Sequence, residues 1–302
     1  MEASKHFNLA EHLQKRRKEE RKYANDLLWE NIEAGLWNAL GRVSQHKLTD
    51  AEKVEFQIDH CFPILAQFFI VSGHAIQFIE DDNVREVLQF GASRRIGSIR
   101  IAVERIITTA PPNRKKRLSL EEREGVSDSI LLLYVHMLGV LDAFAIALFR
   151  AQKTKVNVSE RSVDLLKKSF RKEIGISEID ELIEKNDSWL MRIKENLRNR
   201  YVHRIPPYVP DGRFTPDEMI KFSSLEKEKF DLIEAGDFGG AERLRAEQDA
   251  IGVFEPVLSF SEDKSYMLLH PTILDDTFRF VCLVFDLLEI TLPLFSARRS
   301  PE

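Results

Sequence analysis

Cysteine is scarce in this chain. Its 302 residues include two, Cys61 and Cys282, far apart and each inside an apolar run. That pattern excludes a disulfide framework and a cysteine-based zinc site, and predicts buried thiols in a reducing compartment. Positive charge is not in excess either. The 44 Lys and Arg are outnumbered by 49 Asp and Glu, which leaves a net charge of -5. Such a chain is no general polyanion binder, so any nucleic-acid surface must be a local patch. A Gly-rich phosphate loop ending in Lys-Ser or Lys-Thr is missing, as is a pair of His at metal-ligand spacing. Glu55, Asp59 and His60 lack the repeated Glu-x-x-His of a di-metal bundle. No Ser or Cys stands in a recognisable nucleophile context. Neither a metal nor a cofactor is therefore expected.

Long uncharged apolar runs are missing too. The two segments nearest to membrane-span length are Ser129 to Phe149 and Phe278 to Phe295. The first carries His136 and Asp142, the second Asp286 and Glu289. Charge at mid-span is costly in lipid, so both are expected to be buried bundle helices and no membrane association is expected. The stretch Glu2 to Asn8 is polar with no apolar run after it, so no secretory signal is visible and a cytoplasmic location is expected.

What the chain does have is an apolar fraction of 43% and long stretches of helical periodicity. These predict an all-α fold, a bundle of long helices with an insertion before the final one. Helices are expected from about Leu9 to Val43, from a capping pair at Thr49 and Glu52 to about Glu80, and from Asp82-Asn83 to about Thr109. Pro111-Pro112 ends the third, and a basic loop, Asn113 to Arg117, follows. Ser119 and Glu122 read as a second capping box. The helix after it, to about Arg150, is apolar nearly all round and should be central. Shorter helices are expected over Ser162 to Lys172, Ser177 to Lys185 and Asp187 to about Val202. Residues 1–204 would then form the bundle, with its core from about residue 50. Residues 205–268 would be the insertion. It opens on the proline-rich Ile205 to Gly212, which cannot be helix. A polar helical hairpin turning near Gly236-Asp237 follows, then a β-hairpin of Val253 to Phe260 and Ser265 to Leu269. Residues 269–302 would be the last helix and tail.

One segment stands out chemically, Arg198-Asn199-Arg200-Tyr201-Val202-His203. Ile193, Leu197 and Tyr201 mark the buried face of its helix. Asn199 and His203 are four apart and share a face, whereas Arg198 and His203 lie roughly 140° apart around the axis. They converge if the helix ends near His203, and Pro206-Pro207 demand such an end. Cleavage of RNA by its own 2'-hydroxyl needs a base that titrates near neutrality, with donors for the charge that develops on phosphorus. A histidine, an arginine and an amide meet those needs.

Arg198-Asn199-x-x-x-His203, late in a helical bundle and before its final helix, resembles the signature of the HEPN superfamily. The resemblance implies a metal-independent endoribonuclease, in a toxin or defence setting, whose cleft is completed by a second copy of the chain. It implies that His203 is the general acid or base, that Arg198 holds the scissile phosphate and that Asn199 orients either. Asp142, in Val140-Leu141-Asp142-Ala143-Phe144-Ala145, is similar to an acid of the preceding central helix in such proteins, and is expected to be buried and either to orient Arg198 or His203 or to be satisfied by a tyrosine or a backbone group. Arg200, Arg94 and Arg95, with Arg114, Lys115 and Lys116 of the basic loop, are the candidate RNA-binding residues. The alternative for the pair is a surface arginine and a helix-capping histidine. Leu225 to Arg245 resembles the UVR motif, a helical hairpin used for protein contacts, which implies a partner or inhibitory protein as a further ligand. The competing function is a non-catalytic RNA-binding or protein-interaction scaffold.

Overall fold

The computed structural model describes residues 51–77, 79–152, 159, 162–262 and 264–295. The helix expected from Leu9 to Val43 and the capping residue Thr49 lie outside them. The described chain is mostly helical. Helix α1 is Ala51–Gln77, with Pro63 inside it. Asp81 then caps α2 (Asp82–Glu86), its carboxylate accepting from the amides of Asn83 and Val84. A π-helical segment, Val87–Ser93, leads into α3 (Arg94–Thr109). Next comes α4 (Leu120–Ala151). It opens on the expected capping box, with Glu122 N–H donating to Ser119 Oγ at 3.2 Å and Ser119 N–H to Glu122 Oε2 at 2.8 Å.

Two expectations shift in the following region. Instead of Ser162 to Lys172, α5 is Lys168–Ile174, closed by Gly175 at φ 68°, a left-handed end that suits glycine. The two helices expected either side of Asn186 are one, α6 (Ser177–Arg192). Asn186 does not break it, because its side-chain amide donates back to the Leu182 carbonyl at 2.9 Å. A second π-helical segment, Ile193–Arg198, continues into α7 (Asn199–His203). The insertion holds α8 (Pro216–Glu234), α9 (Phe238–Asp249), β1 (Val257–Phe260) and β2 (Ser265–Leu268), and α10 (Leu269–Phe295) closes the described chain. Glu255 and Pro256 keep the first strand shorter than expected, since proline has no amide to give to a ladder.

The chain divides into two compact units, and the division falls within α3, α4, α6 and α10. The first draws on the described residues of 1–100, 136–190 and 274–302. Its core holds Phe68, Leu88, Phe144, Phe170 and Phe280, all buried, with Phe68 edge-on to Phe280 at 6.3 Å. Each such side chain contributes about 1.5–3 kcal/mol through burial. Asp276 is buried in this core and accepts the Trp189 indole N–H at 2.8 Å. The second unit draws on 101–135 and 191–273. Tyr134, Ile106, Leu197, Leu258 and Leu269 are buried in it. His270, also buried, donates from Nε2 to the Ala110 carbonyl at 2.5 Å.

Two residues read as buried are on the surface. Asp142 is exposed, on an outward stripe of α4 with Leu132, Ile146 and Arg150. Cys282 is exposed, on the stripe of α10 that also holds Arg279, Asp286 and Glu289. Both helices are apolar enough to hide such a stripe from composition alone. Cys61 is buried, and burial pushes its thiol up to about 12. Neither cysteine forms a disulfide. Among the described residues one helix, α4, is long and apolar enough to cross a membrane, and 56% of its most apolar window is buried within the protein.

Candidate functional site

Residues 191–203, all in the second unit, carry the candidate site. Ile193 and Leu197 are buried and fix the orientation of the helix. The widened π-helical turn, closed by i→i+5 bonds, ends at Arg198, and such turns in helices are frequent at functional positions. Past it, α7 lasts five residues and stops at His203. Arg204 is extended, at φ -135° and ψ -160°, and its amide still bonds the Arg200 carbonyl. The helix therefore ends where the prolines require. His203 stands exposed on its last turn.

Arg198 and Asn199 are brought together. Arg198 Nη1 donates to Asn199 Oδ1 at 2.9 Å, and Asn199 Nδ2 donates to Glu195 Oε2 at 3.0 Å. Glu195 is a member of this relay that the motif did not reveal. Its only signal in the sequence is its place four residues before Asn199, one helical turn away. The relay sets the asparagine amide so that its oxygen faces the guanidinium, and it leaves the other Arg198 nitrogens for a further acceptor. Tyr201 is half-buried, and burial first, then the carboxylate of Asp128, pushes its phenol well above the usual range.

Arg200, expected to contact RNA, has partners within the protein. Its guanidinium lies 5.0 Å from the Phe260 ring centre and 3.8 Å from Glu262 Oε2, so it fastens the β-hairpin to α7. Arg114 is likewise engaged within the second unit. It grips Glu122 with two nitrogens, at 3.0 and 2.7 Å, and donates to the carbonyls of Thr109, Lys116 and Arg117. Arg117 is buried against the rings of Phe214 and Phe222 and bonds the Gln248 carbonyl at 2.6 Å, which ties the basic loop to the helical hairpin. Lys115 and Lys116 are exposed. The basic loop thus offers two lysines to solvent while its arginines hold the fold.

In the first unit, Arg94 stacks on the exposed Phe90 at 4.6 Å. Arg95 donates to the Gly91 carbonyl at 2.7 Å and lies against Gly139 of α4, where a Cβ would collide with it. Burial, and then Arg95, hold the His136 ring below the ordinary histidine range. Asp142 belongs to this unit and not to the unit that holds Arg198, Asn199 and His203. Among the described residues no three His, Cys, Asp or Glu side chains gather as a metal-binding group. No protein-family model, no curated protein and no solved structure matches this chain.

Proposed function

We propose that the chain is a HEPN-like endoribonuclease that cleaves RNA without a metal, through attack of the 2'-hydroxyl. The observation that carries the reading is the relay Glu195–Asn199–Arg198, set on a helix that ends with His203 facing solvent. In the mechanism, an imidazole takes the 2'-hydroxyl proton and O2' attacks phosphorus. The bond from phosphorus to the 5'-oxygen breaks, and that oxygen leaves with a proton from a second imidazole. The product ends are a 2',3'-cyclic phosphate and a 5'-hydroxyl. Arg198 neutralises the charge that grows on the phosphoryl oxygens, and Asn199 holds the guanidinium in place. One copy carries one His203, so two copies supply the base and the acid, and the working unit is a homodimer. The proposed mechanism draws on Arg198, Asn199 and His203 and not on Asp142.

The test is cleavage of mixed RNA by the purified chain in EDTA. Arg198→Ala should lower the rate about 10²–10³-fold, the cost of removing one preorganised charge-stabilising donor. His203→Ala should reduce it at least as far. Cleavage that survives both changes would sink the reading.

A second reading, the protein-interaction scaffold, is favoured by the helical hairpin. Phe230, Ile233 and Phe238 surround its turn and are all exposed. An apolar cluster at the end of a polar hairpin suits a protein partner. That reading predicts no cleavage in the same assay, and loss of a partner when Phe238 is made polar.

A further inference from the structure

The insertion carries a feature that the motif does not explain. Antiparallel pairing puts Tyr208 opposite Ser259, and Ser259 opposite Tyr266. The first pair exchanges both backbone bonds, at 3.0 and 2.9 Å. Directly opposed residues in antiparallel strands project to the same face. The row therefore reads Tyr208, Ser259, Tyr266, with a small residue between two rings whose Cα atoms are about 10 Å apart. Both rings are open to solvent, Tyr208 at 46% and Tyr266 at 68% exposure. The flanking Leu258 and Phe260 point the other way and are buried. Beneath that buried side, Phe260 takes the Arg200 guanidinium of α7. Tyr208 follows His203 by five residues, so the two Cα atoms are no more than about 18 Å apart.

A second row runs Lys116, Val253, Arg213, again by opposed pairing, and all three are exposed. Two acids of this region already face arginines. Glu262 faces Arg200, and Asp211 pairs with Arg123. Among the described residues no carboxylate pairs with Lys115, Lys116 or Arg213. Arg213 follows Tyr208 by five residues, so their Cα atoms are no more than about 18 Å apart. Exposed rings within reach of unpaired lysine and arginine side chains suit a ligand that presents flat π-faces on a negative backbone.

We infer that the face bearing Tyr208 and Tyr266 is a stacking platform for unpaired bases of single-stranded RNA, with Lys116 and Arg213 meeting its phosphates. The inference rests on the proposed ribonuclease for its placement, and it names that site's substrate class. A base stacks on a ring only when its face is open, so the platform selects single strands over duplex. Arg200 is a positioning residue here. It holds the platform to the helix that carries Arg198 and His203.

The experiment is anisotropy titration of the full chain with a labelled single-stranded 2'-O-methyl RNA, which cannot be cleaved by its own 2'-oxygen. Tyr208→Ala and Tyr266→Ala should each weaken binding about 5- to 150-fold, the range that stacking of one base gives. Tyr266→Phe, which keeps the ring, should bind within about twofold of the parent. The same sequence as a duplex should bind more weakly than the single strand. Melting curves check that each variant is folded, and both sites are exposed enough to tolerate change. No binding by the parent chain, binding unchanged in both alanine variants, equal loss in Tyr266→Phe, or preference for duplex would each overturn the platform. Cleavage in EDTA is read separately. Ring-dependent binding without cleavage removes the ribonuclease and keeps the platform, and cleavage with ring-independent binding does the reverse.

Discussion

At the scale of single residues, the arginines of this protein show how far a charge pattern underdetermines function. Arg95, Arg114, Arg117 and Arg200 all sit in basic stretches, and all four are engaged in packing or in bonds to carbonyls, acids or rings. Arg171 is the extreme case. It is buried, with Nε on Asp180 at 2.7 Å, Nη2 on Glu184 at 2.6 Å and Nη1 on the Leu165 carbonyl at 3.0 Å. It pins α5 to α6. Arg171→Ala should destabilise the fold by about 1–3 kcal/mol. The figure is held below that of a fully buried pair because both acids are partly exposed. Urea denaturation of the variant measures it, and an unchanged midpoint would contradict this role. Asp142 gives the opposite lesson. The acid that burial forces into partnership is Asp276, which bonds Trp189, and nothing in its local sequence sets it apart from its half-buried neighbour Asp275.

At the scale of elements, the termini and turns were the most legible features. The Ser119–Glu122 box, the hairpin turn at Gly236-Asp237 and the helix end at His203 all lie where short-range chemistry places them. Asp237 caps α9 by accepting the Gly240 amide at 2.8 Å. What the sequence hid was which stripe of a nearly all-apolar helix meets solvent. It also hid the pairing of Tyr208 with Ser259 across some fifty residues, and the two π-helical segments. Those depend on contacts distant in sequence, which periodicity does not record. The start of α10 yields a pH prediction. Burial, the larger effect, holds the His270 ring below its ordinary range, and the hydrogen bond to Ala110 opposes it only in part. The unfolded chain therefore takes up a proton that the folded chain refuses, so stability is present above about pH 6.5 and is lost as pH falls below it. His136 acts with the same sign. Melting temperatures at pH 7.5 and 5.5 should fall more for the parent chain than for His270→Gln. Equal falls would show that His270 does not supply the effect.

At the scale of the whole molecule, the all-α architecture with a hairpin insertion before the last helix follows from helical periodicity and proline placement, and the structure bears it out. The candidate site was legible as a motif, since Arg198, Asn199 and His203 are close in sequence. Its surroundings were not. Glu195, Phe260, Glu262 and the tyrosine row were found only when strands and helices were in place. The proposed mechanism has one imidazole per chain and needs two, so specific activity should fall on dilution through the dimer dissociation range. Sedimentation at the same concentrations locates that range. Activity per chain that stays constant while dimers dissociate would contradict a shared site.

The most direct measurement is the chemistry of the cut ends. Full-length protein is incubated with a defined single-stranded RNA in EDTA, and the fragments are weighed by mass spectrometry. The account predicts 2',3'-cyclic phosphate and 5'-hydroxyl ends that disappear with His203→Ala. Fragments ending in 3'-hydroxyl and 5'-phosphate, or no cleavage at any protein concentration, would contradict it.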